Sequence, residues 1–94
     1  MNKKQLIAAA AKKCGVTQKQ TEEITEAVFQ CIEEALSQEQ RVTISGFGTF
    51  EAKKRPARKH RLPVSERIVE IPEAHIAVFR PSKQLKEKIN HEIG

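Results

Sequence analysis

With 94 residues the chain has room for one small domain, and a monomer of this size hides only a modest share of its surface. Its apolar fraction is 38%, with four Phe and neither Trp nor Tyr, while 31% is charged; a private core would be thin, and the composition favours an intertwined dimer. Seventeen Lys and Arg against twelve Asp and Glu leave a formal charge of +5 and an isoelectric point near 9.5, which favours a polyanionic partner. With no signal-like leader and no apolar run of membrane length, the expected location is the cytosol.

The charge is segregated along the chain. From Gln18 to Gln40 six acids (Glu22, Glu23, Glu26, Glu33, Glu34, Glu39) accompany a single base, Lys19, whereas Lys53 to Arg61 holds six bases and no acid. Such asymmetry concentrates the anion-attracting field on one segment. The two cysteines, Cys14 and Cys31, lack zinc-site spacing; both fall on apolar stripes and read as small buried hydrophobes with free thiols.

In chain order, Asn2 can cap a first helix whose Leu6, Ile7, Ala10, Ala11 and Cys14 repeat at helical spacing, and Gly15 ends it. Thr17 with Gln20 three residues later matches a capping box. The next stripe, Ile24, Ala27, Val28, Cys31, Ile32, Ala35 and Leu36, predicts a second helix of about five turns lying across the first, with its acids turned to water. After Gln40 the period changes to two: Val42 and Ile44 alternate with Arg41, Thr43 and Ser45 before a tight turn at Gly46-Phe47-Gly48. Phe50 and Ala52 keep one face apolar. Beyond them the outgoing strand is polar on both faces, with Lys53, Arg55, Lys59 and Arg61 on one and Lys54, Arg58 and His60 on the other. A ribbon without an apolar face cannot pack on its own core, so residues 53–73 are expected to form an arm in solvent.

Pro63 lies where this ribbon must reverse, either as a turn proline with its φ preset or as an exposed apolar wedge flanked by Leu62 and Val64. The returning strand carries Ile68, Val69 and Ile71; Pro72 suggests an edge or bulge, and Ile76, Val78 and Phe79 rejoin the sheet. Pro81-Ser82 stops the strand and caps a short last helix with Leu85, Ile89 and Ile93 at four-residue spacing. The expected architecture is α+β: a helical hairpin, a three-stranded antiparallel sheet with a long β-ribbon arm, and a short C-terminal helix, in one domain over 1–94.

The run from Lys53 to Arg61 suits phosphates, because Arg and Lys displace condensed counterions and Arg can enter a narrow minor groove. A charged, solvated edge strand is the plainer reading of the run alone; its setting in a long hairpin favours nucleic acid. There is no nucleophile-base constellation, metal-ligand cluster or phosphate-cradling Gly loop, so an enzyme, a metal and a cofactor are not expected. His75 and His91 have no evident partners and read as surface or structural residues.

Gly46-Phe47-Gly48-Thr49-Phe50, the arm with Arg55, Arg58, Arg61 and Pro63, and the stretch from Ile71-Pro72 to Phe79-Arg80-Pro81 together resemble the bacterial HU/IHF family of histone-like proteins. Met1-Asn2-Lys3 and Ala27-Val28-Phe29 extend the resemblance over essentially the whole chain. It implies an intertwined dimer whose two arms wrap duplex DNA along the minor groove, bending and compacting it in the nucleoid with little sequence specificity. It also implies that Arg55, Arg58 and Arg61 approach the groove and backbone, with Pro63 as the intercalating proline. Lys53, Lys54 and Lys59 would support the arm on phosphates, and Lys3, Arg80, Lys83 and Lys86 match basic positions of the body. Phe47, Phe50 and Phe79, with Ile44 on the same apolar alternation, match the dimer core. The departures gather at the arm tip, where His60, Leu62 and Ser65-Glu66 replace the usual residues; in the body, Ser82 stands for a common Gly and Ala77 for a common Pro. The partner subunit is expected to be a second copy, a paralogue being the other choice. A small basic RNA-binding or ribosome-associated protein is the alternative from another class, although RNA readers place aromatics on a sheet surface to stack bases, and a protein-docking ribbon is a third.

Overall fold

The computed structural model describes residues 1–62, 64 and 67–93. Pro63, Ser65, Glu66 and Gly94 lie outside the described residues. The chain forms two compact units, Met1–Glu34 and Ala35–Gly94.

The first unit is built from helix α1 (Lys3–Cys14) and most of helix α2 (Gln18–Ser37). Asn2 is extended and its carboxamide oxygen accepts the Gln5 N–H at 2.8 Å, while Gln5 Oε1 accepts the Asn2 N–H at 2.9 Å. This reciprocal box satisfies two of the donors that a helix start leaves open. Gly15, at φ 67°, closes α1, with the Val16 N–H reaching back to Ala11 O at 3.2 Å. Thr17 and Gln20 repeat the capping device for α2, at 3.1 and 3.4 Å.

Ile7, Ala11 and Thr21 are the buried residues here, and the Thr21 hydroxyl donates to Thr17 O at 2.9 Å. On α2, Ile24 is 65% exposed, and Val28 of the same stripe and the neighbouring Phe29 are also open. One expectation is corrected by this arrangement. Cys14 and Cys31 are exposed rather than buried. The physical reason is that two helices meet along one edge each, and α2 offers α1 the Thr21 edge, leaving its apolar stripe on another side.

The second unit holds β1 (Val42–Ile44), β2 (Gly48–Arg55), β3 (Arg58–Arg61), β4 (Ile68–Ile71), β5 (Ala74–Pro81) and α3 (Lys83–Ile93). No glycine ends α2; instead Glu39 takes the left-handed conformation at φ 59°, and the Gln40 N–H closes on Ala35 O at 2.9 Å. β1, β2 and β5 form an antiparallel sheet in that order, and β3 pairs with β4 in a second, two-stranded one. The register aligns Val42, Phe50 and Phe79 in one row and Ile44, Gly48 and Pro81 in another. Those two rows lie on the same face, since they are two residues apart along each strand. The alternate face carries Thr43, Thr49, Glu51, Lys53 and Arg80. Pro56-Ala57 and Pro72-Glu73 separate the two sheets on the outgoing and returning strands, as expected where a proline withholds its N–H from a ladder. Ser82 then caps α3, its hydroxyl accepting the Leu85 N–H at 3.1 Å, while its own N–H donates to Phe47 O at 2.9 Å.

Candidate nucleic-acid interface

The basic run divides at Pro56-Ala57. Lys53, Lys54 and Arg55 stand on β2, opposite Ile76, His75 and Ala74 of β5. Arg58, Lys59, His60 and Arg61 make up β3, opposite Ile71, Glu70, Val69 and Ile68 of β4. Cross-strand partners share a face, which corrects the expectation of a ribbon polar on both sides. Arg58 and His60 share their face with Val69 and Ile71, and Lys59 and Arg61 share theirs with Glu70 and Ile68. Each face therefore sets outgoing bases against returning apolar side chains, because β4 contributes Ile68, Val69 and Ile71 along the length of the ribbon. Towards the tip, the Leu62 N–H donates to Arg67 O at 2.9 Å, and Val64 is 98% exposed. The wedge assigned to Pro63, and the departures at Ser65 and Glu66, lie outside the described residues.

Not every base is equally available. Lys54 Nζ is 3.3 Å from Glu73 Oε1. Arg55 is half-buried and turned to the break, its Nη2 donating to Pro72 O at 3.5 Å. Arg58 and Lys59 are exposed, as is Arg61. Lys83 Nζ lies 3.9 Å from Glu87 Oε1 one turn along α3, and Lys86 is exposed on the same helix. Lys3 belongs to the first unit, where it pairs with Glu26. Exposed pairs of this kind contribute about 0–1 kcal/mol, so a phosphate can compete for the lysines.

The polar face of the three-stranded sheet has a centre that sequence reasoning missed. Glu51 is only 12% exposed, and three cations surround it: Arg80 Nε at 2.8 Å from Oε1, Arg41 Nε at 3.4 Å from Oε2, and Lys53 Nζ at 4.0 Å from Oε1. Arg80 does not aim its N–H at Oε1, which lacks a hydrogen bond, so this contact is an ion pair and not an aligned hydrogen bond. Beside it the Thr49 hydroxyl donates to Thr43 Oγ1 at 3.3 Å. Arg41 stood out of the basic run because it precedes β1. The available signal was its alternation with Thr43 and Ser45, which places it on the face opposite Val42 and Ile44.

On the apolar face, Phe79 bridges the other two ring positions. Its centroid lies 5.3 Å from Phe47 and 4.8 Å from Phe50, with tilted planes in both pairs, a geometry worth about 0.5–1.5 kcal/mol per pair beyond area burial. Ile44, Phe47 and Phe79 nevertheless remain exposed within the chain. His75 has a partner after all, Glu39 Oε1 at 2.9 Å from its Nε2. Among the described residues no group of three His, Cys, Asp or Glu side chains could hold a metal ion, and no helix is long and apolar enough to cross a membrane.

Comparison with known proteins matches this geometry to one family. Residues 1–90 match the family model described as bacterial DNA-binding protein. The SPbeta prophage-derived DNA-binding protein HU 2 of Bacillus subtilis is 44% identical over 89 residues, covering 95% of this chain and 97% of the relative. DNA-binding protein HU of Clostridium pasteurianum is 39% identical over 90 residues, covering 96% and 99%. Among solved structures, an Anabaena HU–DNA cocrystal structure superposes with a TM-score of 0.87 at 39% identity, covering 95% of this chain and 97% of that one. The chain belongs to the bacterial DNA-binding protein family that includes HU.

Proposed function

We propose that the chain is an architectural duplex-DNA-binding protein that works as a dimer and bends and compacts DNA in the nucleoid with little sequence specificity. The carrying observation is the register that places Lys53, Lys54 and Arg55 on β2, paired with β5, and Arg58, Lys59 and Arg61 on β3, paired with β4. Residues 53–73 act as the arm, following the minor groove and backbone, where guanidinium groups meet the concentrated negative potential. Lys3, Arg80, Lys83 and Lys86 neutralise phosphates from the body. At the arm tip Pro63 enters a base step and unstacks it. The protein contributes position and charge, and carries out no covalent step on the DNA.

Dimerisation is supported by the surface left open. The exposed residues are those a second copy would cover: Ile24, Val28 and Phe29 on α2, and Ile44, Phe47 and Phe79 on the sheet.

If a dimer engages roughly six to eight phosphates, log K falls against log salt with a slope of about −5 to −7. The deciding experiment measures binding and bending on random, kinked and defined-site duplexes, with duplex RNA as the competing ligand. Wild type should bind duplex DNA steeply with salt and bend it; Pro63→Ala should bind but bend less. A slope shallower than about −2, or a preference for duplex RNA, sinks the architectural reading. Undiminished bending by Pro63→Ala sinks the wedge alone.

A further inference from the structure

The acid at the centre of a basic face calls for an explanation. Glu51 lies on β2, on the same face of the sheet as Thr49, Lys53 and Arg80, and a carboxylate among phosphate-binding groups would ordinarily repel the ligand. The geometry gives it a different part. The carboxylate is the least exposed member of the cluster, at 12%, while the side chains of Arg41 and Arg80 remain 69% and 59% exposed. Both arginines meet it through Nε, the nitrogen nearest the stem. Ion pairing at that end leaves the two terminal nitrogens of each guanidinium for a second, bidentate acceptor. Arg41, Lys53 and Arg80 together outnumber the single carboxylate and leave two positive charges uncompensated. Arg41, Glu51 and Arg80 line an open concavity of about 300 Å³ whose other lining residues include Thr43, Ser45 and Thr49.

We propose that Glu51 is a positioning residue: it holds Arg41 and Arg80 by ion pairing at their Nε ends and presents the outer nitrogens of each to a backbone phosphate of the duplex, so that Arg41 is a DNA-contacting residue. This rests on the duplex-DNA reading above. Two long, flexible arginines otherwise lose rotamer freedom when they grip an anion; a half-buried carboxylate between them takes that ordering cost before the DNA arrives.

The sign of one substitution separates this from simple charge repulsion. Glu51→Gln removes an acid from each subunit, so repulsion alone would tighten DNA binding. The positioning role requires the opposite, a weakening of about fivefold at fixed salt, with the dimer and its secondary structure intact. The experiment titrates a random duplex over a salt series with wild type, Glu51→Gln, Arg41→Gln, the Arg41→Gln/Arg80→Gln pair, and the triple variant adding Glu51→Gln. Arg41→Gln should make the salt slope shallower by about 1.8 per dimer, one lost phosphate contact in each copy. In the background lacking both arginines, Glu51→Gln should no longer weaken binding, since the residue acts through them. The inference is overturned if Glu51→Gln binds as tightly as wild type or more tightly, if its weakening persists without the arginines, or if Arg41→Gln leaves the slope unchanged. Should Glu51→Gln fail to fold, the Arg41→Gln slope decides. A wild type without salt-sensitive duplex binding would instead refute the functional reading itself.

Discussion

Gly48 offers the sharpest test of the packing around Phe79. It pairs with Ile44 on one side and Pro81 on the other, and a Cβ added there would stand 2.6 Å from the Arg80 carbonyl oxygen and 2.6 Å from both Cε1 and Cζ of Phe79. Ordinary carbon contacts lie at about 3.5–4.0 Å, so β5 and the phenyl ring must both move by close to an ångström. The ring cannot yield freely because it also contacts Phe47 and Phe50, and the carbonyl belongs to the sheet backbone. Overpacking of this kind costs about 2–3 kcal/mol, which for a domain of this size lowers Tm by about 10–20 °C. Thermal unfolding followed by circular dichroism, at one protein concentration because association shifts Tm, measures it for Gly48→Ala. Gly46 supplies the contrast, with φ 79° and nothing within 4 Å of an added Cβ. Gly46→Ala should lose only the backbone term of about 1–2 kcal/mol, and Gly46→Asn should recover part of it, since Asn tolerates that conformation. If Gly48→Ala melts within about 4 °C of wild type, or is milder than Gly46→Ala, the close approach does not govern this part of the sheet.

Removing the first capping box with Asn2→Ala should destabilise the protein by about 1 kcal/mol, visible as a lower denaturant midpoint with an unchanged slope. Phe79→Ala removes the ring shared by Phe47 and Phe50 and should cost about 3–5 kcal/mol; sedimentation velocity should then show dimerisation at least about 100-fold weaker, and an unchanged dissociation constant would place the ring outside the interface. Arg58→Gln, on the outer ribbon, should make the salt slope shallower by about 1.8 per dimer and weaken binding alike on unrelated duplexes, as checked by fluorescence anisotropy across a salt series.

Local chemistry was readable wherever a few neighbouring residues settle the outcome. Thr17 and Gln20 announce the start of α2, and Ser82 that of α3, because capping needs only side chains within three residues. Gly15 marks the end of α1 for the same kind of reason. The end of α2 had no such mark: Glu39 occupies a conformation more often left to glycine, and the hydrogen bond from Gln40 to Ala35 closes the helix without it. The stripe from Ile24 to Leu36 identified the helix correctly but said nothing about which surface would cover it. Cys14 and Cys31 show the same limit, since a helical period locates an apolar side and does not supply its partner.

By itself, the sequence determined the order of elements, the change of period after Gln40, the apolar row of Phe50 and the concentration of bases from Lys53 to Arg61. Those properties depend on residues close in the chain, where rotamer preference, capping and alternation act directly. Only the tertiary structure decided what lies across the ladder. Register put Ile68, Val69 and Ile71 beside the arm's bases, pressed Gly48 against Phe79, and gathered Arg41, Lys53 and Arg80 around Glu51. These are encounters between strands up to about thirty or forty residues apart, fixed by hydrogen-bond pairing in which a slip of one residue would turn every side chain to the other face.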